Sequence, residues 1–496
     1  MSKQLRKPIT EELHRRHGYK VMEVKIKPVH IANALMRTEH QCAGRMPVLE
    51  QLFEATLPRN SIDKRVAAVE AMLEAQRDRW GALGDAHDLK SSPLMTKVLP
   101  LIRTLLGADG AAFGSSPQFS SFSSPTALTV TGDPSDDGAG AFIHALWGGR
   151  EGDDRLPILN LLAELTSPEK APEKMDDLSA LLVPLVDSTR HRAAHAFTAE
   201  DMSNGFSPIE RELREAAKLL CAYELKLRPN PISSLQRIVV LAALSVFRHG
   251  ATRAQERAGG PQRLLLLDAS SDHYSDVAKA STGCVARLIS DACNYMASVI
   301  NDLLEQQLTD WPQNPTAAVN GLLESAQQAP LEERSPLAQR IREISADFDD
   351  YEDVRREVCD ELLSQIEGNQ RHGLDGYLRL LGLRAGFLYP TQKNPNKRLN
   401  PADRTLEVLV ASTVDADQPP VEYRDFLEML RNRWAIVVGG RAEDGADLDA
   451  LMGAKVPLRA LRENSDRFLD RLESLGLARR LADSVAVVGL LEATHE

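Results

Sequence analysis

Apolar residues recur at helical spacing along most of the chain. In the first hundred residues, Val66, Val69, Leu73 and Trp80 fall on one side of a helix predicted over 62–80, and charged residues separate them. A helix with one apolar and one charged face packs against a core, so the amino-terminal part of the chain is expected to be helical.

The central part of the chain carries the strongest helical pattern. Ser207 and Pro208 combine a capping side chain with a first-turn proline, which predicts a helix that runs to about Leu227. The apolar residues of 234–247 occupy nearly every face of the following helix, so this helix is expected at the centre of a core. Another long helix is predicted over about 275–307.

After residue 400 the pattern changes to short helices followed by a hairpin. Gly476 lies where a helix stop is expected, and a polar turn separates two apolar runs beyond it. The predicted elements are helices over 404–412, 423–433 and 458–475 and strands over 477–481 and 485–488.

This carboxyl-terminal order of elements resembles that of winged-helix domains, from about Asn400 to Gly489. The resemblance rests on Phe426-Leu427, the helix from Leu458, Leu475-Gly476-Leu477 and the hairpin, which together cover under a fifth of the chain. The expected fold is mainly α, with multi-helix domains and a carboxyl-terminal winged-helix module containing a small β-hairpin. The predicted domains are an N-terminal helical domain (1–107), a loop-rich linker with short helices (108–177), a central helical domain (178–395) and the winged-helix module (396–496).

Composition narrows the class of protein. The 496 residues are 43% hydrophobic and 26% charged, which is typical of a folded globular chain of two or three domains. The formal net charge of -12 excludes attraction to phosphate over the whole surface. No apolar run approaches the length of a membrane span, and the five cysteines stand too far apart for a zinc or redox pair, so reduced thiols and a cytoplasmic location are expected.

In winged-helix domains the third helix often enters the major groove and the hairpin touches the DNA backbone. The resemblance therefore implies DNA-binding candidates, which are Arg459, Arg462, Arg467, Arg471, Arg479 and Arg480. Acidic residues alternate with these arginines, a pattern that suits intrahelical ion pairs and protein docking as well as phosphate contacts. Lys393, Lys397 and Arg398 lie in a Pro/Asn-rich stretch, interpreted as a solvated loop or as a helper in DNA binding.

Four leucines followed by Asp268 look like the strand and carboxylate that hold magnesium in nucleotide hydrolases. The glycine-rich phosphate loop is missing from the sequence, so no nucleotide cofactor is expected, and a buried strand or helix end with Asp268 capping the next turn is favoured. Ser270, Ser271, Asp272 and His273 include nucleophilic residue types, but no nucleophile elbow surrounds the serines, so a polar turn is expected.

Two further groups have residue types that bind metals. His191 and His195 are four apart with Glu200 nearby, but Arg192 stands where the zinc-peptidase pattern needs glutamate, so no metal site is assigned. The acidic stretch 347–353 lacks the spacing of a calcium loop and is interpreted as a solvated helix start.

The sequence therefore favours a non-enzymatic interaction subunit of a multi-protein bacterial complex, with protein partners, DNA as a second partner of the carboxyl-terminal module, and no membrane partner. The stretch from Leu380-Gly382-Leu383 through Tyr389-Pro390 to the end, with the Leu267-Asp268 turn, is similar to large accessory subunits of bacterial anti-phage defence cassettes. Two alternatives stay open: a metal-dependent hydrolase or nuclease around Asp268 and His273, and a transcriptional regulator.

Overall fold

A computed structural model describes most of the chain. The described residues are 2–19, 26–40, 61–75, 89–98, 100, 136, 138–149, 154–166, 205–227, 230–257, 262–270, 272, 274–367, 374–391, 394, 396–453, 455–481 and 485–491. Most of them are helical, and the described strands are two or three residues long, so the prediction of a mainly α protein is confirmed. His191, His195, Glu200, His273, Lys393 and most of the 108–177 linker lie outside the described residues.

The helices and strands are numbered in chain order. The α-helices are α1 (Ser2–His17), α2 (Pro28–Glu39), α3 (Ile62–Ala75), α4 (Ala139–Gly148), α5 (Pro157–Thr166), α6 (Pro208–Leu227), α7 (Pro231–Arg257), α8 (Asp276–Gln307), α9 (Pro315–Ser325), α10 (Pro336–Asp347), α11 (Tyr351–Glu367), α12 (Leu374–Arg384), α13 (Asp403–Ala411), α14 (Tyr423–Trp434), α15 (Asp444–Met452) and α16 (Leu458–Ser474). The strands are β1 (Leu265–Leu266), β2 (Leu388–Tyr389), β3 (Arg398–Leu399), β4 (Val421–Glu422), β5 (Ile436–Val437), β6 (Ala478–Arg480) and β7 (Ala486–Val488). Among the described helices, none combines the length and the apolar character that a bilayer crossing requires.

The chain forms two compact units that are discontinuous in sequence. The larger unit comprises Met1–Ile26, Thr198–Leu219 and Leu244–Glu496, and the smaller unit comprises Lys27–Phe197 and Leu220–Ala243. The four domains expected from chain order stay a prediction.

Within the smaller unit, α2 packs against α4 and α5. Buried charges in this unit are matched: Glu39 contacts His144 at 3.0 Å and Arg155 at 2.5 Å, and the Glu224 carboxylate meets the Arg237 guanidinium at 2.5 Å. A buried carboxylate is tolerated when a cation and hydrogen bonds replace its water, so these pairs hold the unit together without an exposed site.

The larger unit is built around α8, the long helix predicted over about 275–307. The Ser275 hydroxyl caps it by accepting from the Ala278 amide, and α8 packs against α1, α9, α11 and α12. The apolar side of α8 is buried at helical spacing, as a helix surrounded by neighbours requires. Its buried apolar residues are Val277, Ala278, Cys284, Val285, Leu288, Ala292, Tyr295, Met296, Val299, Ile300, Leu303 and Leu304.

The four-leucine run forms a buried strand, one of the two structures expected for it. β1 pairs in parallel with β5, and the Leu265 and Leu267 amides donate to the Ala435 and Val437 carbonyls at 2.8 Å each. On the other side, Leu267 bridges Leu399 of β3. The run therefore ends between two strands that come from the last hundred residues.

The last hundred residues contain the three predicted helices as α13, α14 and α16 and the predicted hairpin as β6 and β7. β7 pairs with β6 on one side and with β4 on the other, which gives the strand order β4-β7-β6. Gly476 ends α16 with a φ of 70°, and the Leu477 amide donates to the Leu472 carbonyl, the bond that closes a helix at a left-handed residue. The sequence pattern did not indicate β4, nor β5 and α15 between the second and third helices.

Candidate functional site

The exposed face of α16 carries most of the predicted DNA-binding arginines, but it is electrically balanced. The helix contains four arginines and four carboxylates, so its formal charge is zero. Its apolar side is buried through Leu461, Phe468 and Leu472, and the Phe426 and Phe468 rings stack with centroids 6.5 Å apart. The charged side therefore faces solvent without the excess positive charge that attracts DNA phosphates.

Most of these arginines are engaged by nearby carboxylates. Arg459 lies 2.8 Å from Glu463, and Arg471 lies 2.7 Å from Asp403 while also donating to the Pro401 carbonyl. The remaining pairs are Arg467 with Glu463 at 4.0 Å and Arg480 with Asp470 at 2.6 Å. Such surface pairs weaken the attraction of each arginine for an external anion.

Arg462 and Arg479 differ from the others. Both are exposed, one on α16 and one on β6, and neither has an ion pair among the described residues. Of the nine predicted DNA-binding residues, these two are the ones that the structure leaves exposed and uncompensated within the described chain.

The basic stretch upstream of the module requires a correction. Lys397 and Arg398 are each 4% exposed, so they form neither a solvated loop nor a DNA contact. The Lys397 ammonium donates to the Pro390 carbonyl at 2.6 Å, and Arg398 belongs to β3. The pattern of prolines and asparagines indicated a loop, but strand pairing with β2 carries these cations into the interior.

Arg398 enters the interior because Asp268 is there. The Asp268 carboxylate is fully buried, and its Oδ2 atom lies 3.1 Å from the Arg398 Nε atom. Its other oxygen accepts from the Ser270 amide at 2.9 Å and from the Ser270 hydroxyl at 2.6 Å. The Asp268 amide donates to the Leu399 carbonyl at 2.8 Å, so backbone and side chain both tie β1 to β3.

The burial of Asp268 bears on the hydrolase alternative. A carboxylate that binds magnesium or activates water must face the substrate, whereas the Asp268 oxygens face Arg398 and Ser270. The expected cap of the next turn is present, because the Asp268 Oδ1 atom accepts from the Ser270 amide at 2.9 Å, whereas Ser275 caps α8. Asp268 acts as the buried counterion of β3.

Asn464 of α16 joins the same region from the other side. Its amide group donates to the Leu267 carbonyl at 2.7 Å and to the Val438 carbonyl at 2.8 Å, and its oxygen accepts from the Ala269 amide at 2.9 Å. Fully buried, it satisfies the backbone groups where β1 and β5 end. The sequence analysis did not single out Asn464, because its partners lie far away in the chain and leave no local pattern.

The approach of α16 to β5 depends on a glycine. A side-chain carbon at Gly440 would lie 2.5 Å from the Leu427 Cδ1 atom and 2.6 Å from the Ser465 hydroxyl. Both distances are shorter than contact, so a larger residue at 440 would displace the Leu427 and Ser465 side chains.

The acidic stretch 347–353 behaves as predicted. Helix α11 begins at Tyr351 with Glu352 and Asp353 in its first turn, where carboxylates are stabilised by the positive end of the helix. Asp353 pairs with Arg356 at 2.8 Å. Within the part of the chain that the structure describes, no group of three or more carboxylate, histidine and cysteine side chains is arranged to hold a metal ion.

A buried polar network in the larger unit escaped the sequence analysis. The Tyr19 hydroxyl lies 2.9 Å from the His249 Nδ1 atom, the His249 Nε2 atom lies 3.4 Å from Glu210, and the His17 Nε2 atom lies 2.8 Å from the Tyr295 hydroxyl. All five side chains are at most 5% exposed. Tyr19 and His249 are 230 positions apart, so no local pattern could have indicated the contact.

Burial and hydrogen bonding set the protonation of this network. Burial lowers the pKa of His17 well below its usual value and also lowers the pKa of His249, so both imidazoles are neutral at pH 7. Burial alone would raise the pKa of Glu210, but its contacts with His249, the Ser207 amide and Arg253 together lower it to about 2. The His249 Nδ1 atom shares a hydrogen bond with the Tyr19 hydroxyl, and its Nε2 atom faces the Glu210 carboxylate at 3.4 Å.

Comparisons with protein-family models, with curated proteins and with solved structures found no match for this chain.

Proposed function

We propose that residues 396–496 form a winged-helix module that docks a protein partner, within a non-enzymatic subunit of a multi-protein bacterial complex. The observation that supports this proposal is the order of the elements: helices α13, α14 and α16 are followed by a hairpin, and β4, which precedes α14, completes the sheet as β4-β7-β6. The strand β5 and the helix α15 are an insertion between the second and third helices. We further propose that this complex acts in anti-phage defence, the role that the resemblance drawn from the sequence implies.

The charges of α16 favour a protein partner over DNA. Four arginines and four carboxylates cancel, and a DNA surface with about one phosphate charge per 1.7 Å of duplex would meet repulsion and attraction in equal measure. A protein surface with its own mixture of charges is complementary to such a pattern, and complementary charges fix the register of docking.

Exposed apolar side chains on the same module also favour protein docking. Leu481 and Val485 flank the turn of the hairpin and are 43% and 39% exposed, and Leu458 at the start of α16 is 57% exposed. The Leu481 amide donates to the Val485 carbonyl at 2.7 Å, which fixes the two side chains at the hairpin tip. Rigid apolar residues within a charged surround have the composition of a protein interface.

Docking is tested by capturing the tagged full-length protein from its source with and without nuclease. The wild-type protein is expected to retain a stoichiometric protein partner after nuclease treatment, and the Leu481→Glu/Val485→Glu variant is expected to lose that same partner. Tyr351→Ser is the matched control, because it removes an exposed apolar side chain (54% exposed) outside the module. Retention of the partner by the hairpin variant, or its release by nuclease alone, would contradict the proposal.

DNA contact is the second candidate function, and the exposed Arg462 and Arg479 support it. If both contact phosphates, Arg462→Gln/Arg479→Gln should reduce the slope of log affinity against log salt by about 1.8, or 0.9 for each contact. Arg334→Gln is the control, because Arg334 is exposed and has no side-chain ion pair among the described residues. An unchanged salt slope would remove the module from any DNA interface.

A further inference from the structure

An open cleft of about 380 Å³ lies in the larger unit, away from the exposed face of α16. Its walls are the first turn of α6 from Pro208, one face of α7 and the last turn of α14 at Asn432 and Arg433. Clefts that hold small molecules begin at about 300 Å³, so this one has room for more than a single ion.

One wall of the cleft is a row of polar side chains, each with a buried donor atom that has no hydrogen-bond partner among the described residues. Arg248, Thr252 and Gln255 follow one another at spacings of four and three along α7, so they share one face of the helix. The Arg248 Nε atom, the Thr252 hydroxyl and the Gln255 amide nitrogen are all buried, and none has a hydrogen-bond partner among the described residues. Each unsatisfied buried donor is costly, and three in one row call for an explanation.

The orientation of Gln255 is set by the backbone. Its side-chain oxygen accepts from the Arg263 amide at 3.0 Å, so its nitrogen is the end that is left to donate. Gln255 is 4% exposed and Arg248 is 6% exposed, which makes both of them interior side chains at the wall of an open cleft. The three side chains of the row therefore offer hydrogen-bond donors, and a ligand that binds them needs hydrogen-bond acceptors.

The described lining of the cleft carries more arginines than carboxylates. The two lining carboxylates are each matched by an arginine, Glu212 by Arg433 at 3.4 Å and Glu256 by Arg253 at 3.3 Å. Arg248 has no ion pair among the described residues, and its burial lowers its pKa to about 10, still high enough to keep it charged at neutral pH. A buried guanidinium is stable when an anion with several acceptor oxygens joins it.

We propose that this cleft binds a phosphorylated small molecule, with Arg248, Thr252 and Gln255 donating to its phosphoryl oxygens. A phosphoryl group offers three acceptor oxygens to three donors of different geometry, and the planar guanidinium matches two of these oxygens at once. The first turn of α6, which forms another wall of the cleft, adds the positive end of a 20-residue helix. The volume beyond the phosphoryl group accommodates the organic part of the ligand.

The binding test uses the full-length protein and calorimetric titration with adenosine monophosphate, pyrophosphate, inorganic phosphate and malonate. The phosphorylated compounds are expected to bind and malonate is expected to bind more weakly. Arg248→Gln should weaken phosphate-compound binding by at least tenfold, whereas Arg459→Gln should leave it unchanged, because Arg459 is 91% exposed and lies outside the cleft. Absence of binding by all three phosphate compounds, or tighter binding of malonate, would overturn the proposal.

A second measurement separates a binding role from a structural one. If the role of Arg248 is to bind a ligand, the ligand-free Arg248→Gln protein should have the same Tm as the wild type or a higher one. The rise in Tm that the ligand causes in the wild type should be lost in this variant. A structural arginine would instead lower the Tm of the ligand-free protein. Thr252→Val, which preserves shape and removes only the hydroxyl, should weaken binding several-fold, and an affinity equal to wild type would count against the site.

Discussion

Removal of the Asp268 carboxylate should loosen the junction between β1 and β3 more than any surface substitution. In Asp268→Ala the Arg398 guanidinium, whose side chain is 5% exposed, loses its counterion, and the amide and hydroxyl of Ser270 lose their acceptor. Breaking a buried pair by removal of one partner costs roughly 3–5 kcal/mol, because the remaining charge stays desolvated.

The same reasoning gives a different expectation for the double variant. Asp268→Ala/Arg398→Met removes both charges and leaves an apolar side chain of similar length in β3. Replacement of a whole buried pair is often close to neutral, so the double variant should be more stable than the sum of the two single losses by about 2 kcal/mol or more. Asp470→Ala is the control, since Asp470 pairs with Arg480 on the surface and should contribute at most about 1 kcal/mol.

Hydrogen exchange followed by mass spectrometry is the suitable assay, because a chain of two compact units need not unfold in one step. The reporters are the amides of Leu265, Leu267 and Asp268, which donate to carbonyls of the neighbouring strands. A loss of 3–5 kcal/mol accelerates their exchange by roughly a hundred- to several-thousand-fold. Acceleration below about threefold in Asp268→Ala, or strict additivity in the double variant, would refute the buried-pair reasoning.

Three further outcomes are expected. Asn464→Ala should cost about 3 kcal/mol, because it leaves backbone groups of β1 and β5 unsatisfied, and a loss below about 1 kcal/mol in the same exchange assay would show that water replaces the side chain. Gly440→Ala should cost about 1–3 kcal/mol in thermal unfolding, because its new carbon would lie 2.5 Å from Leu427, and an unchanged Tm would contradict the close packing. Acid should destabilise the fold: the pKa of His17 is well below its usual 6.5 and that of Glu210 is about 2, so the unfolded chain takes up both protons first. Stability should then fall by about 1.4 kcal/mol per pH unit for each group, below pH 6.5 for His17 and below 4.5 for Glu210, whereas a urea midpoint constant from pH 7.5 to 4.5 would contradict this.

Local patterns predicted the long elements of the fold. The helix that ends at Leu227 and the helix end at Gly476 could be predicted from the sequence. Capping residues, apolar spacing and glycine all act within a few positions of the element that they define. The helix over 234–247 was also recognised, but its true extent is Pro231–Arg257, because the pattern was read from the apolar centre and not from the ends.

The short strands and the buried ion pairs depend on contacts between residues far apart in the chain, and local sequence patterns could not predict them. A two-residue strand such as β5 has no periodicity of its own, and it exists because β1, far away in the chain, supplies its partner. For the same reason Arg398 looked like part of a solvated loop: its place in the interior depends on Asp268, 130 positions earlier by number, and no rule of spacing links the two. Candidate DNA contacts on α16 were chosen by residue type, whereas their ion pairs with neighbouring elements, such as Arg471 with Asp403, follow from packing.

Arg398 and Arg248, both buried in the larger unit, show how a structural arginine differs from one proposed to bind a ligand. Arg398 and Arg248 are almost equally buried, at 4% and 6% exposure, and a guanidinium at that depth needs an anion. For Arg398 the fold supplies the anion in Asp268, and that carboxylate is in turn held by Ser270, so the charge of Arg398 is matched within the chain. Arg248 instead faces the open cleft and has no ion pair among the described residues. Thr252 and Gln255, on the same helix face, each have a buried donor atom without a hydrogen-bond partner in the described chain. The difference implies opposite responses to neutralisation, a loss of stability at Arg398 and a loss of ligand with stability retained at Arg248, so the two substitutions serve as controls for each other.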